Sequence, residues 1–228
     1  MCVLEPLKQA VYEANKIVAQ LENGFTLLGS AASIDRESGY IVTRPSAILP
    51  SELCPEVMLV VKEDGTVVEG NGVPAKDFAA HRELFLAFPW INASIHAHSH
   101  YATCFAQAGR SIPPYGATHA DSFHGEISCT RELTPREISN HYERHIGRLI
   151  ADSYRYTSEQ EIPGILVARH GAFAWGESCA QAVQHITALE TAAHMAFDTE
   201  ILNVKVTPAP SSLLEKHFYR RHKHIAEK

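Results

Sequence analysis

An apolar run, Ile91-Asn-Ala-Ser-Ile-His-Ala-His98, ends on two histidines one residue apart. In a strand, alternate side chains share a face, so His96 and His98 project toward one point. That commits the segment to a sheet, with its chemistry at a strand end, where α/β proteins place their sites. A second apolar run, Ile165–Arg169, closes on His170-Gly171. A third imidazole from that distant strand would complete a three-histidine divalent-metal site with coordination positions open to substrate. The chain has 14 histidines, so spacing alone leaves chance pairing as an equal reading. Asp77 and His81 lie shortly upstream of the pair and Asp121 shortly downstream.

The surrounding pattern is mixed. Leu4, Leu7, Val11, Ala14, Val18 and Leu21 recur at helical spacing, with Gly24 as the stop. Residues 31–44 read as a hairpin through Asp35–Gly39, and 57–62 with 66–69 as another around Glu63-Asp64-Gly65. A short helix is expected over 77–88 and another from Tyr101 to Ala108, ending at Gly109. Thr134-Pro135-Arg136-Glu137 is a capping box that starts a helix predicted to run unbroken to about Tyr154, with Ile138, Tyr142, Ile146, Leu149 and Ser153 on one face. Strands at 163–169 and 172–175 flank His170. Helices follow over 179–202 and from Ser212 to about Ala226, the last one basic and histidine-rich. The fold class expected is α/β: helices on both faces of a central, mostly antiparallel sheet.

With 228 residues, 45% of them hydrophobic, the chain has enough for one core, and a single domain over 1–228 is expected. A formal net charge of −6 argues against a nucleic-acid binder. Five cysteines without a Cys-x-x-Cys pattern suit a reducing cytosol. The N-terminus carries no secretory signal and no run of 18 apolar residues spans a membrane, so a cytoplasmic protein is expected.

Several stretches together resemble the class II aldolase/adducin family, and within it the L-ribulose-5-phosphate 4-epimerases. They are Ile95-His-Ala-His-Ser99, Ala106-Gln-Ala-Gly-Arg-Ser-Ile-Pro113, Thr118-His-Ala-Asp121, His170-Gly-Ala-Phe-Ala-Trp-Gly176 and Leu213-Leu-Glu-Lys-His217. The resemblance covers nearly the whole chain. It implies an α/β/α sandwich, a homotetramer with active sites between subunits, and a small sugar or sugar-phosphate substrate. It also implies a divalent cation, Zn²⁺ first with Mn²⁺ or Co²⁺ as alternatives, held by His96, His98, His170 and Asp77. The implied reaction is retro-aldol cleavage to an enediolate, stabilised by the cation as Lewis acid, and re-addition that inverts one carbon. Asp121 would serve as one acid/base, reaching a neighbouring subunit's site, and Asp77 would be catalytic as well as ligating. Aldolase or decarboxylase chemistry on a sugar acid is the alternative within the family, and a non-enzymatic adducin-like scaffold is the third reading.

The chain departs from that pattern in three places. No tyrosine follows Tyr219 to act as the second acid/base near Lys228; Tyr219, Tyr115, His222 and His224 are the substitutes on offer. The phosphate-binding positions read Gly29-Ser30, Arg44-Pro45-Ser46-Ala47 and Ala75-Lys76, which loses hydroxyls and a glycine and gains a lysine. Arg169 stands beside His170, where strand alternation would turn it away from the ion or, alternatively, toward a substrate carboxylate. His217 matches a family histidine and is a candidate for lining the site. His81 either orients a ligand or packs. The run Arg220–His224 is either a solvated face or part of a neighbour's anion pocket. His119, His124, His141, His145, His185 and His194 are expected to be structural or solvated.

Overall fold

The computed structural model describes residues 4–22, 28–154, 158 and 160–222. Helix α1 (Glu5–Leu21) is followed by strands β1 (Ser30–Ile34), β2 (Ile41–Thr43), β3 (Leu59–Val61) and β4 (Val67–Glu69). Then come α2 (Phe78–Ala87), β5 (Ala93–Ala97), α3 (His100–Ala108), α4 (Ala117–Ala120), α5 (Pro135–Ser139) and α6 (Tyr142–Ser153). Strands β6 (Gly164–Val167) and β7 (Gly171–Gly176) precede α7 (Cys179–Leu202) and α8 (Ser211–Arg221). The strands form one seven-stranded sheet in the order β4-β3-β2-β1-β5-β7-β6, with every ladder antiparallel.

Period-two alternation sorts the side chains onto two cores. Ala93, Ile95 and Ala97 of β5 and Ala172 and Ala174 of β7 face α1, α3 and α7. Phe173 and Trp175 face α2 and α6, packing with Leu84, Phe85, Ile146 and Ile150. The small residues on the first face let the long α7 lie close to the sheet. The second face is bulkier, and by parity it receives Ser94 and His96. Arg36, expected only as a turn residue, fastens the end of α2. Its guanidinium donates to the Phe85 carbonyl (2.9 Å), left over as the helix stops before Pro89, and to the Ile91 carbonyl (2.5 Å) just beyond it.

Two expected elements differ. The helix from Thr134 is broken: Asn140 is extended and His141 adopts a left-handed conformation (φ 49°, ψ 46°), after which α6 starts afresh at Tyr142. The capping box itself forms, with Glu137 N–H on Thr134 Oγ1 and Thr134 N–H on Glu137 Oε2 (2.7 Å). The strand expected over 163–169 stops at Val167, and the hairpin turn to β7 carries Arg169 (φ 63°) and His170. Arg169 does point away from His170, but the left-handed turn is what directs it; Nε lies 2.7 Å from Glu132. Gly24, and the expected continuation of α8 to Ala226 with His224, fall outside the described residues.

Candidate metal centre

His96 is the next-to-last residue of β5, His98 lies one residue past the strand, and His170 comes from the β6–β7 turn. Because β5 pairs with β7 in register His96↔Phe173, the hairpin delivers His170 above the pair. One ring nitrogen from each imidazole lies within 4.8 Å of the others. The His96 ring rests on Phe173 (centroids 4.4 Å, 9°) and under His170 (4.7 Å, 12°). The space among the rings is kept by Gly171, where a methyl group would stand 3.4 Å from His96 Nε2 and 2.9 Å from the Ala97 carbonyl.

A buried polar chain lies behind His96. Asp77 precedes α2 and takes a hydrogen bond from His96 Nδ1 (2.9 Å) on one carboxylate oxygen. Ser30 Oγ donates to the other (2.6 Å). His81 Nε2 meets Ser30 Oγ at 3.1 Å, and Ser94 Oγ contacts His81 Nδ1. An anionic Asp77 fixes the polarity next to it: Ser30 and His96 both donate to it, so Ser30 accepts from His81 Nε2–H. Burial alone would raise the Asp77 carboxyl, but His81 and His96 outweigh it and hold it well below the usual carboxylate range. With Nδ1 carrying the proton, His96 presents the lone pair of Nε2, a buried atom without a hydrogen-bond partner. Such an orphan is the signature of a place that a cation completes.

Burial pushes the His98 imidazole down to about 4 and His170 to about 3, with His96 adding to both. Neutral rings at physiological pH are the form that ligates. An unfolded histidine takes up its proton near 6.5, so the stability tied to these neutral rings is fully present above that pH. It is lost progressively as acid takes the solution from about 6.5 toward 3. Urea titrations of chelator-treated protein should therefore show midpoints falling across this window; a flat profile down to pH 4 would contradict it.

The expected site residues divide into groups. Asp77 stands behind His96, its carboxylate on Nδ1 of that ring and on Ser30 Oγ, and the three-imidazole cluster forms without it. Ser30 is fully buried and spends its hydroxyl on Asp77, so it is not free for a phosphate. Arg44 is also buried, donating to the carbonyls of Gly29 (2.9 Å), Pro45 (3.0 Å) and Ser46 (3.2 Å); it ties its own loop to the segment at Gly29. Ala75 N–H meets the Arg44 carbonyl (3.0 Å), so the 29–30, 44–47 and 75–76 segments are neighbours as expected. On their rim Ser46 is half-buried, while Ala47 and Lys76 are exposed. Asp121 and His217 meet each other (3.1 Å) where α4 packs on α8, with Arg220 (3.4 Å) and Arg221 (3.5 Å) on the same carboxylate. None of these contacts is to the three histidines.

Three residues escaped the sequence. Ser94 shares the face of His96 by parity and was findable. Tyr142, whose hydroxyl lies 3.0 Å from His170 Nδ1, was hidden in the apolar stripe of a helix expected to be continuous. Glu22 gave no signal: its buried carboxylate accepts the backbone N–H groups of Leu28 (2.8 Å), Gly29 (2.9 Å) and His98 (2.7 Å).

The architecture and the histidine cluster agree with what comparison finds. The sequence profile described as "Class II Aldolase and Adducin N-terminal domain" matches residues 9–197, and the chain belongs to that family. Family enzymes of the class II aldolase type depend on a divalent metal. Among individual relatives, the L-ribulose-5-phosphate 4-epimerase UlaF of Salmonella paratyphi B is 37% identical over 219 residues, covering 96% of either chain. The fold is shared with an L-fuculose 1-phosphate aldolase (TM-score 0.75, 21% identity, 96% of both chains). It is shared equally with an L-fuculose 1-phosphate aldolase from Glaciozyma antarctica PI12 (TM-score 0.76, 19% identity, 95% of this chain and 81% of that one).

Proposed function

We propose that this chain is a divalent-metal-dependent epimerase of a ketose phosphate, resembling L-ribulose-5-phosphate 4-epimerase in its reaction. The observation that carries the reading is the convergence of His96, His98 and His170 around the unpartnered, buried His96 Nε2. These three residues would hold the ion, and Zn²⁺ suits an all-imidazole donor set with open positions, Mn²⁺ and Co²⁺ being the alternatives. Bound there, the cation supplies Lewis-acid stabilisation of the negative charge left when the bond beta to a ketone breaks.

The chain's own residues do the rest. Asp77 fixes the tautomer of His96 and is itself held by Ser30, which His81 holds in turn. The rim formed by Gly29, Ser46, Ala47, Ala75 and Lys76 takes the substrate, with Lys76 as the exposed cation for its phosphate. Asp121 with His217 forms an acid/base pair, offered to a neighbouring subunit's site in a homotetramer of single-domain, cytoplasmic chains. Support for assembly comes from the end of α7 and the residues after it, where Ile201 (63%), Leu202 (87%) and Val204 (87%) are exposed together. Of the substitutes for the second acid/base, Tyr115 is spent on Glu200 (2.9 Å), whereas Tyr219 shares α8 with His217. Among the described residues no helix is long and apolar enough to cross a membrane.

Incubation of Zn²⁺- or Mn²⁺-loaded protein with L-ribulose 5-phosphate, followed by NMR, is expected to yield D-xylulose 5-phosphate. Accumulation of the two cleavage fragments would instead identify an aldolase. No turnover by the metal-replete protein would overturn the pentulose phosphate as substrate.

A further inference from the structure

The three imidazoles are not held alike. His96 gives its outer nitrogen, Nδ1, to a carboxylate. His170 gives its own Nδ1 to the phenol of Tyr142 at 3.0 Å, with the rings edge to face (5.6 Å, 73°). That leaves Nε2 of His170 as the nitrogen turned to the cluster. The two partners differ chemically: a carboxylate only accepts, whereas a phenol both donates and accepts.

Tyr142 is put there by the backbone rather than by continuation of a helix. Asn140 is extended, His141 is left-handed, and Tyr142 becomes the first residue of α6. A non-glycine residue in that conformation persists only where its surroundings enforce it, and such positions gather at functional sites. The surroundings here are firm. Ile146 and Ile150 bury α6 against α2, and Glu83 of α2 holds Arg144 (2.9 Å) and Arg148 (3.0 Å). The phenol is thereby fixed relative to both the sheet and α2, the element that Asp77 precedes.

We propose that Tyr142 is a positioning residue for His170, and that filling the three-histidine site reverses the direction of their hydrogen bond. The proposal rests on the reading of these histidines as the ion's ligands. A neutral imidazole carries one N–H. In the metal-free protein the proton sits on Nε2, and the Tyr142 hydroxyl donates to Nδ1. A nitrogen that ligates must be bare, so in the loaded protein the His170 proton moves to Nδ1 and the Tyr142 oxygen accepts it. No proton is gained or lost by the ring. A phenol serves both states with one geometry, which a carboxylate at this position would not.

Two measurements test this without reference to turnover. Zn²⁺ affinity, read by competition with a chromogenic chelator, is expected to fall about tenfold or more in Tyr142→Phe, as for the loss of other groups that orient a ligating histidine. In unaltered protein, ¹⁵N NMR of the imidazoles should show His170 Nδ1 protonated when Zn²⁺ is bound and unprotonated after chelation. Affinity within twofold of the unaltered protein, or an unprotonated Nδ1 in the loaded state, would overturn the proposal. The NMR measurement decides the matter even if Tyr142→Phe folds poorly. Failure of the unaltered protein to take up Zn²⁺, Mn²⁺ or Co²⁺ would overturn the metal-site reading itself, and is read separately from any effect of Tyr142.

Discussion

His98→Asn is expected to lower divalent-metal affinity by more than about a hundredfold, the upper range for groups that merely orient a ligand, and to abolish turnover with it. His98 sits one residue beyond β5, half-buried, with its ring edge-on to both His96 (4.8 Å) and His170 (4.9 Å). Asparagine keeps a polar group of smaller volume at a position already open on one side, so the fold should survive. Chelator competition and circular dichroism on the same sample separate the two effects. A variant that still binds Zn²⁺ like the unaltered protein would remove the metal centre from the account.

The largest loss of stability is expected from Gly29→Ala. A methyl group there would stand 2.1 Å from the carbonyl oxygen of His96 and 2.9 Å from Cα of Ala97, both backbone atoms of a central strand that cannot swing aside. Overpacking against backbone should cost about 3 kcal/mol or more. Gly39→Ala is the control: nothing lies within 4 Å of its added methyl, and only its left-handed φ of 74° is strained, so a loss of about 1 kcal/mol is expected. Denaturant melts of the two metal-free variants compare the terms directly. Equal losses would mean that the Gly29 loop lifts off β5 at little cost.

Much of this was legible beforehand because it follows from period. Alternation aimed His96 and His98 at one point, where their rings meet, and the bounds of α7 matched the expected helix. The capping box at Thr134 formed for the reason its residues suggest. What the sequence could not reveal was where local pattern yields to long-range contact. The stripe through Ile138 and Tyr142 satisfies helical spacing, yet Ile138 is 55% exposed and the chain breaks before Tyr142, whose hydroxyl meets His170 far along the chain. Arg44 and Ser30 carry groups suited to anions, but buried partners, the Gly29 carbonyl and Asp77, claim them first. A carboxylate such as Glu22 that serves only backbone amides leaves no trace in side-chain pattern.

The strand order has a kinetic consequence. β1 to β4 are sequence neighbours and can zip as a meander, but β1 also pairs with β5, and β5 with β7, across long stretches of intervening chain. Loop-closure entropy makes such pairings late events in folding. The β6–β7 hairpin that brings His170 over His96 therefore docks near the end, and during synthesis no three-histidine site exists until it has left the ribosome. Metal capture is a finishing step for this chain, so refolding rates should be indifferent to whether the cation is present from the start.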